Sequence, residues 1–427
     1  MQIEGMAKTY RPYMPEQTLL LPPALSDWVP EGHLARFISD VVDELDLSEM
    51  EATYEEEERG YPPYHPVMMV KVLLYGYATG VYSSRRLAAR LVDSVAFRFL
   101  AAGNEPDFRT LSEFRRRHAK ALSGLFVQVL RLCQQAGLVK LGRIAVDGTK
   151  IKANASKHKA MSYGRMKKTE ERLEKEVRQL FEQAEATDQE EDRRYGPERR
   201  GDELPEELSR RESRLKKIRE AKAALEAEAK KKGKQKVPEK AQRNFTDPES
   251  RIQKTPDGFI QGYNPQLAVD EKAQVIVACE VTTGPDVNQM VPLVEQIEAN
   301  LGEAPEAILA DAGYYSEAND EAMFEKGVDA YIAIGRHKHS DPIPPAPRGP
   351  IPRSATLRDL MDRKLRTRKG RRSYALRKTI VEPVAGQIKQ ARGFRQFLRR
   401  GLEHVREEWS LICTAHNLLK LFRYQVA

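Results

Sequence analysis

Two short apolar runs in this chain each end on an aspartate. One is Ile144-Ala145-Val146-Asp147-Gly148, the other Ile308-Leu309-Ala310-Asp311-Ala312-Gly313. Short continuous apolar runs bounded by turn residues read as buried strands. A carboxylate at the end of such a strand is costly unless it pairs, hydrogen-bonds or binds a metal. The glycine that follows each lets a ligand approach the backbone. If the two strands are neighbours in one sheet, their carboxylates converge at one edge. Hard oxygen ligands of that kind suit Mg²⁺ or Mn²⁺. Two such ions about 3.5–4 Å apart can activate a water or hydroxyl and stabilise the leaving oxygen of a phosphoryl transfer. Taken singly, each residue is an ordinary aspartate in a strand-end turn.

The rest of the chain frames these strands. Residues 1–138 read as helical. An apolar helix is expected over 66–79 with Pro66 in its first turn. Ser83-Ser84 offer an N-cap for the next helix, and Thr110 with Glu113 resembles a capping box. Short helices with Arg-rich faces (Arg115, Arg116) suit a helix-turn-helix-like DNA-binding unit, or an ordinary bundle with basic faces. Residues 139–427 form the second expected domain, interrupted over 157–250 by a charged helical hairpin. Leu173, Val177, Leu180 and Ala184, then Leu208, Leu215, Ile218 and Leu225, repeat at helical spacing, with Gly196-Pro197 and Pro205 between them. The run Lys230–Lys236 reads as a solvated loop. β-type sequence returns at 259–270 and 273–281, then a helix at 291–301, the strand ending on Asp311, a helix at 316–326, a strand at 330–334 and a helical end over 384–422. No internal repeat appears.

Composition narrows the function classes. The chain has 427 residues, enough for two to three domains. Residues 331–427 carry 22 Lys/Arg against 7 Asp/Glu, a local +15 within an overall +8, so the first 330 residues sum to −7. So basic a last quarter points to a polyanion partner. No apolar run reaches the roughly 18 residues of a membrane helix, and the first residues carry no secretory pattern. The three cysteines (Cys133, Cys279, Cys413) lie far apart among apolar neighbours, against a disulfide framework or zinc module. A cytoplasmic protein is expected.

A third carboxylate, Glu382, completes a pattern. Asp147-Gly148-Thr149, Asp311-Ala312-Gly313-Tyr314 and the set Tyr374, Arg377, Glu382, Lys389 resemble the bacterial insertion-sequence DDE transposases, whose signature is Y-x2-R-x3-E-x6-K. Gly262-Tyr263-Asn264-Pro265-Gln266 and Ala415-His416-Asn417-Leu418-Leu419 are similar to that group as well, as is the helical N-terminal segment. The resemblance implies an RNase H-like α/β fold: a mixed sheet flanked by helices, with the helical N-terminal domain and the inserted charged hairpin. It implies that Asp147, Asp311 and Glu382 are catalytic and hold two Mg²⁺ or Mn²⁺ ions. It implies DNA as partner (the terminal inverted repeats and target), a homo-oligomer in a synaptic complex, and a nucleoid-associated place in a bacterial cytoplasm. The activity it implies is strand cleavage and strand transfer; a related nuclease that only cuts, or a dead DNA-binding derivative, are the alternatives.

One departure concerns the basic signature position. Four residues, not three, separate Arg377 from Glu382. On an ideal helix Tyr374, Lys378, Glu382 and Lys389 share a face that Arg377 leaves, so either Arg377 or Lys378 can fill the role; Pro383 also predicts a helix start or kink at Glu382. Lys389, Arg392, Arg395, Arg399 and Arg400, with Tyr374, are the expected phosphate contacts here. Phe394 and Phe397 among them read as core. Glu403 is the rival of Glu382, set aside for want of the Lys389 spacing. His416 and Trp409 read as packing residues, and His65, His158, His337 and His339 as non-ligands.

Overall fold

The structure, a computed structural model, describes residues 24–55, 62–195, 206–231, 233–335 and 344–426. Gly196-Pro197, Pro205, His337 and His339 lie outside them.

The sheet is built from β1 (Arg143–Gly148), β2 (Ile151–Lys152), β5 (Arg251–Thr255), β6 (Gly258–Asp270), β7 (Ile276–Thr282), β8 (Ala307–Ala310) and β9 (Asp329–Ile332). Two further short strands, β3 (Ala160–Ser162) and β4 (Gln242–Asn244), pair with each other. In the main sheet β7, β6, β1, β8 and β9 lie side by side. β7 and β1 run antiparallel to β6, while β8 and β9 run parallel to β1. This is the RNase H-like strand order. It makes β1 and β8 neighbours, with Ile144 opposite Ile308, so their aspartates emerge at one edge. Strand β6 is 13 residues long; its second half pairs with β1 and β7, and its first half with β2 and β5.

The helical N-terminal region packs onto this sheet through the C-terminal helix Leu402–Val426. That helix lies against Pro66–Ala78, Ala119–Gln135 and β7, and one apolar core runs from Val29 to Leu421. Two side chains of the helix tie it to the sheet. Asn417 is fully buried; its Oδ1 accepts from Ile276 N–H at 2.9 Å and its Nδ2 donates to Ile276 O at 2.8 Å. An edge strand leaves such backbone groups unpaired, and the asparagine takes the place of a missing strand. His416 Nε2–H donates to Gln274 O at 3.0 Å, and Trp409 Nε1 donates to Gln266 O at 3.1 Å.

The inserted hairpin consists of helices Tyr163–Tyr195 and Glu206–Lys231. Its own apolar cluster holds Met166, Leu173, Leu215, Ile218 and Leu225, and the β3–β4 pair closes its base.

Several local expectations are corrected. The helix Phe108–Arg117 is capped by Asp107, whose side chain accepts from Thr110 N at 2.7 Å; Thr110 is not the cap, and Glu113 pairs with Arg116. Ser83 stands at the next N-cap position without a side-chain bond, and Ser84 accepts from Arg115 instead. The end of the chain is not one helix over 384–422. A loop separates Ala391 from Leu402, bounded by Gly393 (φ +77°) and Gly401 (φ +85°), positions at which an L side chain is strained. The loop delivers Phe394 and Phe397 to the core, against Tyr77 and Tyr82 and against Tyr263 and Trp409. No described helix is long and apolar enough to cross a membrane.

Candidate active site

Asp147 leaves the end of β1 with its side chain 27% exposed. Burial pushes its carboxyl up to about 6; Arg377 pulls it down, and Asp311 and Asp286 push it up. Asp311 follows β8, and its Oδ1 accepts from Gly313 N–H at 2.8 Å. Tyr314, at the end of the same turn, is fully buried and donates its hydroxyl hydrogen to Gln266 Oε1.

The signature residues arrive on a broken helix. Arg368–Ile380 runs regularly, Val381 is the joint, Glu382–Gly386 is one short turn with Pro383 inside it, and Gln387–Ala391 is a π-helical turn. The break expected from Pro383 is present, and it removes the basis for projecting one helical face through Glu382. Arg377, not Lys378, points inward. Its side chain is 10% exposed; Nη1 lies 3.4 Å from Asp147 Oδ2 and Nη2 lies 3.4 Å from Glu382 Oε1. Burial works against the Arg377 charge, but Asp147, Tyr374, Asp311 and Glu382 outweigh it and raise its pKa. Lys378 is exposed. Tyr374 sits beside Arg377, its hydroxyl pKa raised by burial. Lys389 Nζ donates to Thr149 Oγ1 at 3.1 Å, and burial and Arg395 lower its pKa. The π-helical turn, a frequent mark of functional sites, therefore joins Lys389 to the Asp147-Gly148-Thr149 motif.

Two of the other expected phosphate contacts are turned into the protein. Arg392 is 7% exposed; its Nη1 donates to Ile412 O at 3.2 Å and its guanidinium lies over Phe394. Arg115 spends its guanidinium on Tyr77, Tyr82 O and Ser84. Both are structural ties, because a guanidinium saturated or enclosed by its own chain has no face for a phosphate. Arg395 is exposed and bonds Lys389 O and Gln390; Arg116 is exposed and pairs with Glu113. Glu403 sits in the first turn of the terminal helix.

Sequence reading missed Asp286 and Lys150. Asp286 opens a short turn after β7, and its Oδ1 accepts from Asn264 Nδ2 at 2.6 Å and Gln266 Nε2 at 2.8 Å. Lys150 is half-buried, and burial lowers its pKa while Asp286, Asp147 and Asp311 raise it. The available signal was on β6: Asn264 and Gln266, two apart and so on one face, are buried amides that need partners.

The donor chemistry fits a divalent cation in kind. Four carboxylates share the region, and the orphaned Asn264 Oδ1 is buried among them. As the side chains stand, no three His, Cys, Asp or Glu among the described residues are spaced to hold an ion together; Arg377 pairs with Asp147 and Glu382 there.

An RNase H-like sheet with aspartates at the ends of β1 and β8 and a glutamate on a following helix is the arrangement expected of a DDE nucleotidyl-transferase domain. Family comparison agrees: a transposase DDE domain model matches residues 236–418, and a transposase domain model (DUF772) matches residues 23–117. Both matched models are transposase domains, and together they support an insertion-sequence DDE transposase. No curated protein and no solved structure matches it.

Proposed function

We propose that the chain is the transposase of its own insertion sequence, cutting DNA at the element's ends and joining them to a target by phosphoryl transfer. The observation that carries this is convergence: Tyr374, Arg377, Glu382 and Lys389 meet the ends of β1 and β8, although Asp147 and Glu382 lie far apart in sequence. Asp147, Asp311 and Glu382 would hold divalent ions, which supply the activated oxygen nucleophile and charge neutralisation for such chemistry. The residues of this chain do the rest. Arg377 orients Asp147 and Glu382 toward one another. Lys389, fixed by Thr149, presents an ammonium at the rim for the scissile strand's phosphate, exposed Lys378 and Arg395 extend that positive surface, and Arg116 on the N-terminal helix Phe108–Arg117 would be a separate phosphate contact. Synapsis of two ends calls for self-association, with residues 1–138 as the DNA-binding domain and residues 139–427, interrupted by the insertion over 157–250, as the catalytic domain.

The test is incubation with Mg²⁺ and duplexes carrying the element's ends. Nicked ends and strand-transfer products are expected, each lowered by several orders of magnitude in Asp147→Asn, Asp311→Asn and Glu382→Gln. Nicking without joining would leave a nuclease. Full cleavage by Asp147→Asn would refute the assignment.

A further inference from the structure

Asp286 has an arrangement that hydrogen bonding alone does not explain. Its Oδ1 is held by two amide donors from β6, and Gln266 is held in turn by Tyr314 from the Asp311 turn. The network therefore links β6 to the β8 aspartate. Its Oδ2 accepts no hydrogen bond from any described residue and faces the gap over Gly313. A Cβ built there would lie 3.3 Å from Asp286 Oδ2 and 3.0 Å from Asp311 Oδ1. On the other side, a Cβ on Gly148, next to Asp147, would lie 2.6 Å from Asp286 Oδ1 and 2.8 Å from Asn264 Oδ1. Asn264 is 1% exposed, and its Nδ2 is committed to Asp286 and Gly284 O. That fixes the amide orientation and leaves its Oδ1 a buried acceptor without a partner. Buried acceptors left unpaired cost about 1–3 kcal/mol and call for an explanation.

We propose that Asp286 is a fourth carboxylate of the divalent-cation site, acting through Oδ2, with the Asn264 carbonyl oxygen as a neutral companion donor. This rests on the metal-dependent reading above. Glycine at 148 and 313 keeps the space between these oxygens clear, and Gln266, Asn264 and Tyr314 are positioning residues that aim the free oxygen.

The test is Mn²⁺ binding by the full-length protein, followed by electron paramagnetic resonance and by the rise in melting temperature as Mn²⁺ is added. Asp286→Asn keeps the side-chain shape and an oxygen for both amide donors while removing the charge. It should melt in EDTA as wild type does, yet bind Mn²⁺ at least about tenfold more weakly, the scale seen when groups around a metal are changed. Asp286→Glu serves if the asparagine variant does not fold: it keeps a charged acceptor for the amides but displaces the free oxygen, and it should also bind Mn²⁺ more weakly than wild type. Unchanged Mn²⁺ affinity in these variants, alongside loss in Asp147→Asn, overturns the role of Asp286 alone. A wild-type protein that binds no Mn²⁺ overturns the metal-dependent reading and this inference with it.

Discussion

Replacing Gly148 by alanine should break the site without touching a carboxylate. The backbone there is outside the left-handed region, so the glycine is not required by conformation. It is required by space. The new methyl carbon would stand 2.6 Å from both Asp286 Oδ1 and Gln266 Nε2 and 2.8 Å from Asn264 Oδ1, all inside van der Waals contact. Overpacking of this kind costs about 1–3 kcal/mol. Moving the amides away also weakens two hydrogen bonds to a carboxylate, worth roughly 1.5–3 kcal/mol each. These contributions overlap, and a total of about 2–5 kcal/mol is expected. Urea unfolding of the metal-free protein reads that loss, and DNA cleavage reads the displacement of Asp286 from Asp147. Two controls calibrate the number. Gly313→Ala meets its nearest atoms at 3.0 and 3.3 Å and should cost less. Gly124→Ala, in the helix Ala119–Gln135 with nothing within 4 Å, should stabilise by about 0.5–1 kcal/mol through helix propensity. A Gly148→Ala protein within about 0.5 kcal/mol of wild type, cleaving DNA normally, would refute the reasoning.

Other perturbations test the supports of the site. Asn417→Leu leaves the buried N–H and C=O of Ile276 unpaired and should cost about 2–5 kcal/mol in urea unfolding; a loss under about 1 kcal/mol would mean the edge strand finds other partners. His416 is buried, and burial, with Arg392 next in effect, holds its pKa well below 6.5. The unfolded chain therefore takes up a proton that the native chain refuses, and stability falls below pH 6.5 by up to about 1.4 kcal/mol per pH unit. His416→Gln should remove that contribution, so its stability difference from wild type should shift in its favour between pH 8 and pH 5; a constant difference would contradict the assignment. Lys389→Ala should weaken DNA binding and reduce its salt slope by about one, as measured by fluorescence anisotropy over a salt series.

The strands that carry the site were legible because their signal is local. An apolar run ending on Asp needs only its neighbours to be read, and β1 and β8 begin and end close to where the pattern puts them. The signature spacing led to Glu382 and Lys389 for the same reason. What failed depends on three-dimensional partners. Arg392 and Arg115 look like surface arginines in sequence, but each is turned inward by a carbonyl or hydroxyl from a distant segment. Choosing between Arg377 and Lys378 required the helix break at Val381 and the position of Asp147 beside it. Asp286 follows Gly284-Pro285, as any turn aspartate does, and only the amides of β6 mark it.

On the proposed reading, the charges at the site tie ion binding to DNA binding. Asp147, Asp286, Asp311 and Glu382 set four negative groups against the three positive groups of Arg377, Lys150 and Lys389. A DNA phosphate entering this region adds further negative charge to an environment where burial already pushes Asp147 up to about 6. Lys389 alone cannot offset that charge, because Thr149 holds it at the rim. Arg377 is committed to two carboxylates at 3.4 Å each; releasing it to a phosphate would leave those carboxylates uncompensated. On the proposed reading, divalent ions resolve both demands by taking over the carboxylates and freeing the guanidinium. Coupling of this kind is reciprocal. DNA should therefore tighten Mn²⁺ binding by the same factor that Mn²⁺ tightens DNA binding; Arg377→Met, which removes a cation competing for the carboxylates, should raise Mn²⁺ affinity in the absence of DNA, lower DNA affinity and reduce that factor. Equal coupling in wild type and Arg377→Met would show that the arginine takes no part in the exchange.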